Sequence, residues 1–85
     1  MNKELLDMLN FLFDNNMIIA SEYDFWLDND IIQVEHKINL LTLALNDINE
    51  VMLENAKSEK EINYIKYIRG VIEKHLYLLE GCNYE

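Results

Sequence analysis

The sequence predicts an all-α domain: a small helical bundle of about four helices, dominated by a long antiparallel hairpin of helices 3 and 4. Three observations lead there. The chain has no proline and two glycines, so little interrupts a helix. Its apolar residues recur at steps of three and four rather than two. Three of its four expected helix starts carry a capping residue followed three places on by a side chain able to reach back.

Helix 1 is expected over residues 3–14. Leu5, Leu6, Met8, Leu9, Leu12 and Phe13 fall on one side, with Lys3, Asp7, Asn10 and Asp14 on the other. Asn2 can cap its start. Asn15 and Asn16 can end it, because asparagine tolerates the left-handed conformation common at helix ends. In the loop after it, Ile18 or Ile19 is expected to pack back on helix 2 as a hydrophobic staple.

Helix 2 is expected over residues 21–27, opened by Ser21 with Asp24. Tyr23, Trp26 and Leu27 share its inward side, and Phe25 points elsewhere. Helix 3 is expected over residues 31–55, opened by Asp30 with Gln33. Ile31, Val34, Ile38, Leu41, Leu45, Ile48 and Met52 alternate steps of three and four, the seam by which one helix packs along another. Leu40, Ala44 and Val51 widen it. Helix 4 is expected over residues 59–80, with a full capping box at Ser58 and Glu61 and with Gly81 as terminator. Tyr64, Ile65, Ile68, Val71, Ile72, Leu76 and Leu79 form its apolar face. The short link Asn55-Ala56-Lys57 predicts antiparallel neighbours.

One domain spanning residues 1–85 accounts for the length. A chain of this size buries only about 60% of its unfolded surface. With a single cysteine, Cys82, it has no internal disulfide to help, so hydrophobic burial must stabilise it. Hydrophobic residues make up 51% of the chain, which argues against disorder.

Sixteen acids face seven Lys and Arg, a net charge of −9. Residues 1–36 contain eight acids and one base, and so hold −7 of it. That field repels nucleic acid and anionic membrane and attracts basic partners. Direct nucleic-acid or membrane binding is therefore not expected, and a protein partner with a basic surface is. The N-terminus lacks the plan of a secretion signal, no apolar run is long enough to span a bilayer, and a lone cysteine fits a reducing compartment. The expectation is a cytoplasmic protein.

Catalytic motifs are missing. The sequence has no glycine-rich phosphate loop, no cysteine pair and no nucleophile turn. Gln33 precedes His36 and Ile72 precedes His75 where a di-iron bundle would place glutamate. Asp28-Asn29-Asp30 begins like a calcium loop but lacks its glycine. Zinc needs at least three protein ligands, and only His36, His75 and Cys82 supply nitrogen or sulfur. No enzyme activity, cofactor or metal is expected. His75, on the apolar face of helix 4, reads as a buried or interface histidine bonded to a tyrosine or carbonyl; the sharper alternative is a proton switch. His36 reads as solvated and Cys82 as a plain thiol.

Two features exceed what folding requires. Residues 21–30 hold three aromatics, four acids and no base. Glu22, Asp24, Asp28, Asp30 and Glu35 are the candidate partner-binding acids, with Phe25 as apolar anchor. The plainer alternative leaves the aromatics in the core and the acids solvated. The second feature is an apolar surplus on helix 3. Ile32 and Leu43 project in nearly one direction, away from the seam, and Leu53 also departs from it. With His75 these are the candidate oligomer interface, a homodimer in its simplest form, unless helix 1 covers them. Gly70 either permits close approach by another chain or has no role.

The expected function is that of a small regulatory or inhibitory module that occludes a basic site on a partner protein. Its sharpest version is nucleic-acid mimicry, an analogy in charge and size with small acidic inhibitors from phages and mobile elements. The alternative is a structural module that homo-oligomerises through its long helices.

Overall fold

The computed structural model describes residues 2–28 and 33–83, with backbone alone for Cys82 and Asn83. Asp30, Ile31 and Ile32, expected as a cap, a seam residue and part of the apolar strip, lie outside the described residues. Within them the chain is helical and contains no strand. The helices are α1 (Lys3–Asp14), α2 (Ala20–Leu27), α3 (Val34–Asp47, continued by a π-helical turn Ile48–Met52 and a last turn Leu53–Asn55) and α4 (Glu59–Asn83).

The ends of α1 form as the asparagines predict. Asn2 Oδ1 accepts the Glu4 backbone N–H at 2.8 Å. At the other end Asn16 takes φ 61°, and the Asn16 and Met17 N–H groups donate to Phe13 and Leu12 carbonyls at 3.1 and 2.8 Å. This is the left-handed closure that satisfies a helix's last carbonyls. Between the ends, Met8, Leu9, Phe11 and Leu12 are buried. Phe11 escaped the sequence pattern, and Phe13, expected inward, is 43% exposed.

The start of α2 differs from expectation. Ile19, extended at φ −95° and ψ 167°, is the N-cap, so Ser21 sits inside the first turn. Glu22, not Asp24, reaches back, its Oε1 accepting the Ile19 N–H at 3.0 Å. Ile18 then occupies the staple position and is buried, whereas Ile19 is exposed. Trp26 is buried, Tyr23 and Leu27 pack against the core, and Phe25 points out.

α3 begins at Val34 rather than at residue 31, because Gln33 is extended (φ −65°, ψ 148°) and serves as the N-cap. The seam is centred on Leu41, Ala44 and Ile48, with Ile38, Leu45 and Met52 partly covered. Lys37 belongs to the same stripe and is only 7% exposed. Its ammonium lies 5.6 Å from the centroid of the Trp26 ring, a favourable seat for a cation. Beyond Ile48 the periodicity changes. The Leu53 N–H donates to the Ile48 carbonyl, a bond over five residues that fits one extra residue into the turn. That extra residue rotates the remainder of the helix by about 100°. Val51, placed on the seam by spacing, is turned out to 46% exposure. Leu53, placed off it, is turned in, and Ala56 comes after it against the core.

α4 opens at Ser58, whose Oγ accepts the Glu61 N–H at 3.1 Å. The return bond is displaced by one residue: Glu61 Oε2 accepts from Lys57, at 3.2 Å. Gly81 does not end the helix, which continues to Asn83. No described glycine takes a positive φ, so Gly81 never makes the turn that would terminate it. Ile65, Ile68, Val71, Ile72 and Leu76 are buried, while Tyr64 is half-exposed.

The core is one cluster drawn from all four helices, with α3 and α4 packed together most extensively and α1 laid against α4. Gly70 lies on the exposed side of α4 with no atom within 4 Å of where a Cβ would stand. Close approach by the chain's own helices therefore does not account for it. Gly70→Ala should stabilise the protein by about 1 kcal/mol, the helix-propensity difference. Ser58→Ala should destabilise it by a similar amount through the lost cap. Urea denaturation of both variants measures the two effects with opposite signs.

Candidate functional site

Some of the N-terminal acids are tied into the fold. Glu4 Oε1 pairs with Lys74 Nζ at 3.2 Å. Asp7 Oδ2 accepts the Tyr67 hydroxyl at 2.9 Å and lies 3.7 Å from Lys3. Glu22 has two tasks: beside its bond to the Ile19 N–H, its Oε2 lies 2.8 Å from His36 Nε2. That pair links α2 to α3. The Ile19 N–H foremost, then His36, hold the Glu22 carboxyl below its ordinary value. His36 is exposed, as expected, but engaged. The same acids act on the tyrosines. The Asp7 hydrogen bond pushes the Tyr67 phenol up, and burial followed by the Asp7 and Asp14 charges pushes up Tyr64.

The other candidates stand apart. Asp24, Asp28 and Glu35 are exposed, and no salt bridge engages any of them among the described residues. On α2, Asp28 falls between Asp24 and the 41% exposed Phe25 when residues are placed at 100° intervals. Asp28 is also the C-cap of α2, and Asp14 ends α1. Both carboxylates sit where the helix dipole disfavours negative charge by a few tenths of a kcal/mol. Glu35, in the first turn of α3, has the opposite, favourable placement. Asp30 lies outside the described residues.

The oligomer candidates separate similarly. Leu43 is 67% exposed. Leu53 packs on the chain's own core. His75 is half-buried, and Ile32 is outside the described residues. Val51, which sequence spacing placed in the seam, joins Leu43 as an exposed apolar side chain on α3. Only the π-helical turn makes that so, and no residue type announces such a turn.

Two concavities accompany these surfaces. A cleft of about 260 Å³ between α1 and α2 is lined by Asn10, Phe13, Ala20, Tyr23 and Asp24. Phe13 and Tyr23 meet edge to face in its wall, centroids 5.9 Å apart, and the Tyr23 hydroxyl donates to Asn10 Oδ1 at 2.8 Å. A broader, shallower groove lies by Ser58, Lys60, Glu61, Asn63, Tyr64 and Tyr67 at the start of α4. Among the described residues no three His, Cys, Asp or Glu side chains converge as a metal would require. No described helix is long and apolar enough to cross a membrane. Comparison with protein-family models, with curated proteins and with solved structures finds no match.

His75 has no hydrogen bond to a tyrosine or carbonyl among those described. Burial, then the charge of Lys74, lowers its pKa from an ordinary 6.5; Glu4 opposes the shift and Lys37 adds to it. The unfolded chain therefore takes up this proton at a higher pH than the fold does. Stability from this group is full above pH 6.5 and falls as pH drops through that value toward the lower folded one. Thermal melts from pH 7 to pH 5 should show a loss that His75→Gln reduces. A parallel loss in the variant would assign the titration to another group.

Proposed function

We propose that this chain is a small, non-enzymatic binding module. In this reading it docks its acidic α2 flank on a basic site of a partner protein and blocks that site by bulk and charge. The observation that carries the reading is the division among the acids. Glu4, Asp7 and Glu22 serve the fold, while Asp24 and Asp28 remain exposed and without salt bridges among the described residues, beside the half-exposed Phe25. Asp28 even occupies a helix end where its charge is unfavourable, a placement that folding does not explain. An aromatic anchor ringed by charge is a common form of interface centre.

The supporting frame is an antiparallel hairpin of α3 and α4. The short connection favours it, and so does the pairing of Asn49 with Arg69 while Lys37, twelve residues before Asn49, lies within electrostatic reach of His75. Nucleic-acid mimicry is the narrower version, in which the carboxylates stand where phosphates would. The setting would be cytoplasmic, with no direct role for nucleic acid or membrane.

Calorimetric titration with an arginine-rich peptide tests the electrostatic core of this idea. Affinity should fall by about tenfold or more between low and high salt, because exposed charges are screened. The triple variant Asp24→Lys, Asp28→Lys, Glu35→Lys should abolish binding. Affinity unchanged by salt, or retained by that variant, rejects it.

The exposure of Leu43 and Val51 favours a second reading, self-association along α3. Sedimentation across a wide concentration range should then show a dimer that Leu43→Lys dissociates. A strict monomer at the highest concentration removes this alternative.

A further inference from the structure

The cleft between α1 and α2 has a composition that a merely solvated acidic face would not need. Its wall is aromatic, with Phe13 against Tyr23. Its polar groups are few: the Asn10 amide, already accepting from the Tyr23 hydroxyl, and the exposed carboxylate of Asp24. At about 260 Å³ it suits one long side chain and is too small for a helix. Several of the chain's own cations are engaged elsewhere: Lys3 with Asp7, Lys74 with Glu4, Arg69 with Asn49 and Lys37 against Trp26.

We propose that this cleft receives an arginine side chain of the partner, its guanidinium lying on the Phe13–Tyr23 wall with its N–H edge turned to the Asp24 carboxylate. The proposal deepens the reading of the chain as a binder of basic proteins and rests on it. Guanidinium fits for two reasons. It is planar and weakly hydrated, so it stacks on an aromatic ring at little desolvation cost, and its N–H fork matches a carboxylate. A lysine ammonium is more strongly hydrated and has no planar face to stack. An uncharged apolar group would leave Asp24 unused at the rim. Asp24 thereby has a role distinct from that of Asp28 and Glu35, which attract without defining a position.

The test is a nuclear magnetic resonance titration of the full chain with N-acetyl-arginine methylamide, its lysine counterpart and its uncharged citrulline counterpart. The arginine compound should shift the backbone amides of Asn10, Phe13, Ala20, Tyr23 and Asp24 along one saturable curve. Citrulline should bind about tenfold more weakly, the worth of a charge-assisted contact, and lysine should fall between them. Asp24→Asn should weaken the arginine compound to the citrulline level. Phe13→Leu, which leaves net charge unchanged, should weaken it as well, and the dispersion of the remaining resonances checks that both variants fold. Shifts scattered over all exposed acids without saturation would overturn the proposal, as would Asp24→Asn binding like the parent. If the cleft stays silent while the arginine-rich peptide still binds in a salt-sensitive way, this proposal falls and the wider reading stands. If the peptide also fails to bind, both fall.

Discussion

The contact between the Leu41, Ala44 and Ile48 stripe of α3 and the Ile65, Ile68 and Ile72 face of α4 is the constraint on which the molecule depends. A chain of 85 residues with a single cysteine has no covalent staple, and its core is near the lower limit for independent folding. Leu41, Ile48, Ile68 and Ile72 are fully buried, as are Met8, Leu9 and Leu12 of α1. Each such side chain contributes roughly 1.5–3 kcal/mol by leaving water. With net stabilities of only about 5–15 kcal/mol, every one of these positions matters. The caps, ion pairs and rings around them adjust a fold that this aliphatic contact makes possible.

Much of the fold was legible because its cause is local. The limits of α1, its Asn2 cap and its asparagine stop derive from residue type alone, and so does the Ser58 start of α4. Other features were legible in kind but shifted. Glu22 reaches back instead of Asp24, because two side chains within one turn competed for that task and the chain path at Ile19 decided between them. Gly81 has the residue type of a terminator, but glycine only permits the left-handed turn and does not impose it. Lys37 was hidden by its polarity: its spacing from Leu41 placed it on the buried stripe, and a search for apolar residues passes over a cation seated on a tryptophan. The π-helical turn was illegible, since one extra residue inside a helix leaves no compositional trace. Val51 and Leu53 exchanged roles because of it.

The candidate surface was legible as composition and less so as geometry. Counting charges located the acidic front end. It could not separate Glu22, bound to His36 and to the Ile19 N–H, from Asp24 and Asp28. That distinction depends on contacts across helices, which spacing along one helix does not contain. The Phe13–Tyr23 cleft was invisible for the same reason, because its walls come from two helices whose relative placement is a tertiary property.

The inserted residue in α3 also governs how the molecule tolerates change in length. Removing one amino acid between Ile48 and Met52 would let an ordinary helix form through the gap, at no cost in backbone bonds. Everything from Leu53 onward in that helix would keep its present facing, with Leu53 and Ala56 still turned to the core, because the widened turn already absorbs the one residue removed. A relative shorter by one residue there would thus need no compensating replacements, whereas tightening the turn without a deletion would swing Leu53 and Ala56 by about 100° toward water, so this bulge works as slack that takes up one residue of length.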